Sequence, residues 1–194
     1  MLTDCTMSFN SLFQSPNPER NHFTISVFNL FSQEIVQCWV QDSQSPFTNL
    51  GKGSLRKSGA SRGIGLDLAV EYRKQVYGML LRCDLEADKP LTNPAQIVQD
   101  TKSFKLLLDA AATPTKYTVL IDSKKHDLGG VILVWSSVDE KAVRAARRQY
   151  ALADILSLEQ IISDLIAWGN RDFQMLLDRR VAWSHDLFKA LRKR

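Results

Sequence analysis

The segment from Ile64 to Glu86, IGLDLAVEYRKQVYGMLLRCDLE, constrains the fold more than any other part of the chain. Apolar, β-forming runs flank the short charged stretch Arg73-Lys74-Gln75, which is the signature of a β-hairpin. The spacing predicts a first strand over Gly65 to Tyr72 and a second from Val76 to about Asp84. Successive side chains point to opposite faces of a strand. One face of the first strand therefore carries Asp67, Ala69 and Glu71, and one face of the second carries Leu80, Arg82, Asp84 and Glu86. Acids on a largely apolar hairpin need a reason, because a buried carboxylate is costly unless paired, protonated or bound to metal.

Upstream of the hairpin, residues 1–21 are polar, contain Pro16 and Pro18, and read as an N-terminal arm. His22 to Gln41 reads as a helix, with Val27, Leu30, Phe31, Ile35, Cys38 and Trp39 at helical spacing and Glu34 at the edge of their stripe. Residues 42–63, DSQSPFTNLGKGSLRKSGASRG, read as a loop in which Lys52, Arg56, Lys57 and Arg62 face no acid after Asp42. Such a loop either meets phosphates or is simply solvated.

Downstream, Asn93-Pro94 supplies a cap and a first helical position. The helix it opens carries the inward stripe Ile97, Thr101, Phe104 and Leu108, and ends near Ala112 before Thr113-Pro114-Thr115. Tyr117 to Asp122 and Val131 to Trp135 are apolar runs of the length that suits central strands covered on both faces, with SKKHDLGG as a polar turn between them. Asp122-Ser123-Lys124 has the form acid-x-Lys but falls in that turn. Ser136 to Tyr150 reads as a helix with Asp139 and Glu140 at its positive end. Its outer face shows Lys141, Arg144, Arg147 and Arg148, as DNA-backbone contacts or as a solvated surface. Ser157-Leu-Glu-Gln160 is a capping box opening a further helix with Ile161, Ile162, Leu165 and Ile166 inward. Asn170 to Arg194 reads as one or two more helices.

A chain of 194 residues with 44% hydrophobic content is long enough for one globular α/β domain, here residues 22–168, plus a helical tail over 169–194. The net charge of +4 permits a nucleic-acid partner without demanding one. Cys5, Cys38 and Cys83 form no CxxC, and His22, His126 and His185 are far apart, so neither a disulfide framework nor a zinc cluster is expected. A reduced, cytoplasmic chain is the expectation. No apolar run approaches membrane-spanning length and the start lacks a signal pattern, so no membrane partner is expected.

Ser58 to Gly65, SGASRGIG, resembles the TGxxxGIG cofactor turn of short-chain dehydrogenases. That turn places a pyrophosphate on a helix N-terminus after a buried strand. Here GKGSLRK precedes it, and none of Tyr72, Tyr77, Tyr117 and Tyr150 is followed four residues on by lysine, as that family's catalytic pair requires. An NAD(P) reductase is therefore a minor alternative.

The order helix, hairpin, helix, strand, strand, helix, helix, with an acid entering the hairpin, resembles the restriction-endonuclease-like, or PD-(D/E)XK, nuclease superfamily. The alanine-rich helix (Ala142, Ala145, Ala146) and ADILSLEQIISDL after Val131 follow in that superfamily's usual order, so the resemblance spans roughly residues 22 to 166. It implies a mixed central sheet flanked by helices. It also implies a Mg2+ held by an acid on the first hairpin strand and an acid-x-Lys on the second, often joined by a glutamate of the first helix. Magnesium takes hard oxygen ligands, and a lysine helps place the attacking water.

By that match Asp67 is the first acid and Glu34 the helix acid. The acid-x-Lys positions hold Leu80-Leu81-Arg82, and Leu66 stands where the family has proline. Leucine offers magnesium no ligand, and arginine stays protonated. Asp84 and Glu86 lie further along the same face as migrated ligands or as a hydrophilic strand end. The expectation is an altered, inactive centre at Glu34, Asp67, Arg82 and Asp84, with Asp67 and Asp84 as the metal ligands if any ion binds. Arg82 would then neutralise Asp67 or Asp84. DNA would be met by Lys52, Arg56, Lys57, Arg62, Arg144 and Arg148, with a protein partner or a second copy also open. The alternative is an active Mg-dependent DNA endonuclease using Asp67 with Asp84 or Glu86.

Overall fold

The structure, a computed structural model, describes residues 18–83, 90–97 and 102–191. The N-terminal arm up to residue 17, Asp84, Glu86 and Thr101 lie outside these residues, as does the side chain of Val27. The chain is mixed α/β. Among the described residues eight strands form one mixed sheet. The helix α1 spans Pro18–Gln41, starting four residues before the expected His22, with proline where its missing N–H costs nothing. Then follow β1 (Thr48–Gly51), β2 (Ser54–Lys57), β3 (Ile64–Gly65), β4 (Leu68–Tyr72) and β5 (Gln75–Arg82). After a 3-10 turn at Pro94–Gln96 come α2 (Lys102–Ala112), β6 (Tyr117–Ile121), β7 (Lys124–Trp135), α3 (Glu140–Tyr150), β8 (Asp154–Ser157), α4 (Leu158–Ala167) and α5 (Arg171–Leu191).

The predicted hairpin is β4 and β5, antiparallel from Leu68 opposite Met79 to Tyr72 opposite Gln75. Its two-residue turn, Arg73-Lys74, has φ of 49° and 64°, the left-handed pair that matches strand twist. β1 adds to β4 antiparallel, and β5 pairs with β7 in parallel from Val76–Leu128 to Arg82–Trp135. β8 pairs in parallel with the same half of β7. The other half of β7 leaves a second two-residue turn, Asp122-Ser123, and pairs with β6, which leads on to β2 and β3. β7 thus belongs to both parts of the sheet.

Three expectations need correction. Residues 42–63 are not a continuous loop, because β1 and β2 are strands held by β4 and β6. The stretch SKKHDLGG is not a turn: all but Ser123 belong to β7, whose polar first half is the exposed end of a hairpin. Asn93 does cap, through a reciprocal box with Gln96, but the turn it opens is 3-10 and α2 begins separately at Lys102.

Both faces of the sheet are covered. On one, Ile35, Val36, Trp39 and Val40 of α1 meet Leu68, Val70, Met79, Ile132 and Val134, joined by Leu158, Ile161, Leu165 and Phe173 of α4 and α5. On the other, Phe104, Leu107 and Leu108 of α2 and Ala142 and Ala146 of α3 cover Ala69, Val119, Val131 and Leu133. Burial on both sides explains why Val131 to Val134 reads as an unbroken apolar run. Leu30 and Ile166, expected inward, are more than half exposed at 52% and 61%. Trp39 donates to Asp164 at 3.0 Å and stacks on Trp168, fastening α1 to α4. No described helix is long and apolar enough to cross a membrane.

Candidate functional site at the carboxyl ends of the parallel strands

Asp67 stands one residue before β4, beside the carboxyl ends of β5 and β7. Ligands in open α/β sheets commonly bind outside such strand ends. β4 and β5 cease to pair at Leu68–Met79, so the next β5 amide facing that side, Leu81 N–H, has no backbone acceptor on β4. The Asp67 carboxylate takes its place: Oδ2 accepts from Leu81 N at 2.8 Å. Oδ1 accepts from the Gln33 amide of α1, also at 2.8 Å. Burial pushes the Asp67 carboxyl above the usual carboxylate range, while the Leu81 N–H and the positive charges of Lys52 and Arg82 pull it down.

Glu34 is not at this centre. It forms an ion pair with Arg180 of α5, and its neighbour Gln33 reaches Asp67. Adjacent residues on a helix point about 100° apart, so only one of the two can face the strand ends. Arg82 leaves β5 toward the other face of the sheet, its guanidinium carbon 4.1 Å from the Phe104 ring centroid, and reaches Asp67 as a charge. Asp84, the second proposed ligand, lies outside the described residues. Among those described, no group of three His, Cys, Asp or Glu residues is placed to hold a metal ion.

Sequence reasoning missed two further members of this centre. Ser32 is buried on α1, next to Gln33. Cys83 is buried at the end of β5, its Sγ 3.8 Å from the Val134 carbonyl. Burial pushes its thiol up to about 12, the Asp67 charge adds to this, and the hydroxyls of Ser136 and Ser32 oppose it. A thiol held so firmly protonated is no nucleophile. The available signal was the polar pair Ser32-Gln33 one turn before the apolar Ile35-Val36.

The basic residues do not form one patch. Lys52 is exposed between β1 and β2, brought near Asp67 because Leu66 N donates to the Gly53 carbonyl at 2.9 Å. Arg56 is half-buried on β2. Lys57 does face an acid: Nζ lies 3.1 Å from Asp109, which also accepts from the Tyr117 hydroxyl at 2.5 Å. Arg62 is exposed between β2 and β3. Arg144 and Arg148 project from the outer face of α3. The glycine string SGASRGIG runs into β3 and then β4, so it offers no helix N-terminus to a pyrophosphate.

No protein-family model matches the chain, no curated protein is detectably similar to it, and no solved structure matches its fold.

Proposed function

We propose that this chain is a DNA-binding module of restriction-endonuclease-like architecture whose centre does not cut. The observation that carries this reading is the use made of Asp67. Both of its oxygens accept from protein N–H donors, and Oδ2 thereby caps an otherwise unpaired strand amide. A magnesium ion demands near-octahedral oxygen ligands at about 2.0–2.1 Å and would have to compete with both donors. Leu80 and Arg82 stand on β5 where the resemblance expects a second acid and a lysine. Support for the architecture comes from the order β1-β4-β5-β7, with three antiparallel strands followed by a parallel fourth and an acid where the hairpin begins. Support for DNA comes from the exposed cations Lys52 and Arg62 on the loops beside the sheet and from the net charge of +4.

The test is incubation with supercoiled and linear DNA in magnesium or manganese, run beside a binding titration at several salt concentrations. The expected result is binding that weakens with salt and DNA that stays intact. Metal-dependent cleavage abolished by Asp67→Ala would establish the active-nuclease alternative instead. Failure to bind DNA even at low salt would sink the DNA reading.

A further inference from the structure

The outer face of α3 holds a second basic feature, built differently from the loops near Asp67. Ala142 and Ala146, one turn apart, are buried, so the helix sits close on its neighbours. Arg144, Arg147 and Arg148, at relative positions i, i+3 and i+4, then share the outer side. With Leu152 they line an open concavity of about 330 Å3. Arg144 pairs with Glu140 at 3.3 Å, and Arg147 pairs with Asp154 of β8 at 3.4 Å. Each contact engages one nitrogen of a guanidinium that carries five N–H donors. Exposed pairs of this kind are weak and salt-screened, so they orient the two arginines without consuming their hydrogen-bonding capacity. Arg148 has no acid partner among the described residues. Glu140 and Asp154 offset two of the three guanidinium charges and the carboxyl end of the helix about half of one more, so the positive excess here is small and rests on Arg148.

We infer that this concavity binds a phosphate group of a nucleic-acid strand. Arg148 and the remaining donors of Arg144 and Arg147 hold the non-bridging oxygens, in the forked geometry that suits guanidinium to phosphate. Leu152, 4% exposed, belongs to the core and forms only the floor beneath the three arginines. The site is distinct from Asp67: α3 starts at the strand ends where Asp67 lies and runs back for 11 residues, about 16 Å. The inference does not rest on the reading of the Asp67 centre, but its choice of a nucleic-acid strand rests on the DNA reading proposed above. An internal phosphodiester and a terminal 5′-phosphate offer the same chemistry.

The experiment uses the full chain and three substitutions at exposed positions: the double change Arg144→Gln with Arg148→Gln, the single Arg148→Lys, and Lys52→Gln as a marker for the other end. Fluorescence anisotropy with a single-stranded oligonucleotide, with and without a 5′-phosphate, gives the affinities. Circular dichroism checks that each variant is folded. The double change is expected to weaken binding about tenfold, with Arg148→Lys intermediate between it and the native chain, because lysine keeps the charge and loses the forked donors. Titration with inorganic phosphate is expected to shift the guanidinium NMR signals of Arg144, Arg147 and Arg148 in the native chain, and to leave that of Arg147 far less moved in the double variant. A preference for the phosphorylated oligonucleotide assigns a terminal phosphate, and equal affinity assigns an internal one. A folded double variant with unchanged affinity overturns the inference, as does the absence of any phosphate-induced shift. A loss confined to Lys52→Gln overturns it too, while leaving the Asp67 reading standing.

Discussion

Two aspartates with opposite surroundings make the clearest test at the scale of single residues. Burial raises the Asp67 carboxyl, so the native fold favours its protonated form. Its contribution to stability is complete below the ordinary carboxylate value of about 3.9 and is lost as pH rises through the raised native value. The Tyr117 hydroxyl, and then Lys57, lower Asp109, so its contribution is present above about 3.9 and lost as pH falls through the depressed native value. Carboxyl-carbon NMR should therefore find Asp67 titrating late and Asp109 early, with no movement of the Asp67 midpoint on adding magnesium. An Asp67 midpoint at or below the ordinary value would contradict the burial argument. The sequence made Asp67 legible because an acid among Leu66, Leu68 and Ala69 is conspicuous. It misdirected attention to Glu34, because the search was for a metal-binding acid. What a buried carboxylate requires here is a donor, and the Gln33 amide supplies one that a glutamate cannot.

Among the elements, the β4–β5 turn is where the chain departs furthest from its own preferences. Left-handed backbone costs an ordinary residue about 1–2 kcal/mol, and both Arg73 and Lys74 adopt it. The Arg73 guanidinium, 5.0 Å from the Tyr72 ring centroid, gains something in return. Lys74→Gly should accordingly raise stability by about 0.5–1 kcal/mol, and Lys74→Val should lower it, as read by urea denaturation. Equal midpoints for the two variants would show that the turn is not strained. The hairpin was legible because both strands and the turn lie within one short stretch. β8 and β2 were not: each has four residues, and each is a strand only because a distant partner, β7 or β6, provides the ladder. The polar half of β7 was hidden for a related reason, since Lys124 to Asp127 are at the wet end of a hairpin and carry no apolar alternation. The Ser157 cap read well from sequence and accepts from Gln160 N, whereas Asp139, expected inside a helix from Ser136, is the N-cap of one that starts at Glu140 and accepts from Lys141 N and Ala142 N.

On the scale of the whole molecule, a sheet coated by α1, α4 and α5 on one face and by α2 and α3 on the other gives two cores that share their strands. The tail is part of this arrangement. Asn170 accepts from Phe173 N and donates to Asp42 at 2.6 Å, Phe173 is 2% exposed, and Arg180 meets Glu34. Phe173→Ala should cost about 3–5 kcal/mol, measured by thermal or chemical unfolding, because it empties a packed position where α5 joins α1 and α4. A change below 1 kcal/mol would mean that α5 is an independent appendage. The class of fold was legible from alternating helical and apolar β segments. Strand order was not, because it depends on which β-strand edges meet across long separations.

The parallel pairing of β5 with β7 also bears on how the chain is made. During synthesis the β4–β5 hairpin is complete roughly fifty residues before its partner strand leaves the ribosome. Through that interval one edge of β5 presents the unpaired backbone N–H and C=O groups from Val76 to Arg82, between apolar side chains, with its native partner not yet made. Open edges of this kind, flanked by apolar side chains, recruit strands from other chains. The centre of the finished sheet is thus, for a time, the nascent chain's most adhesive surface.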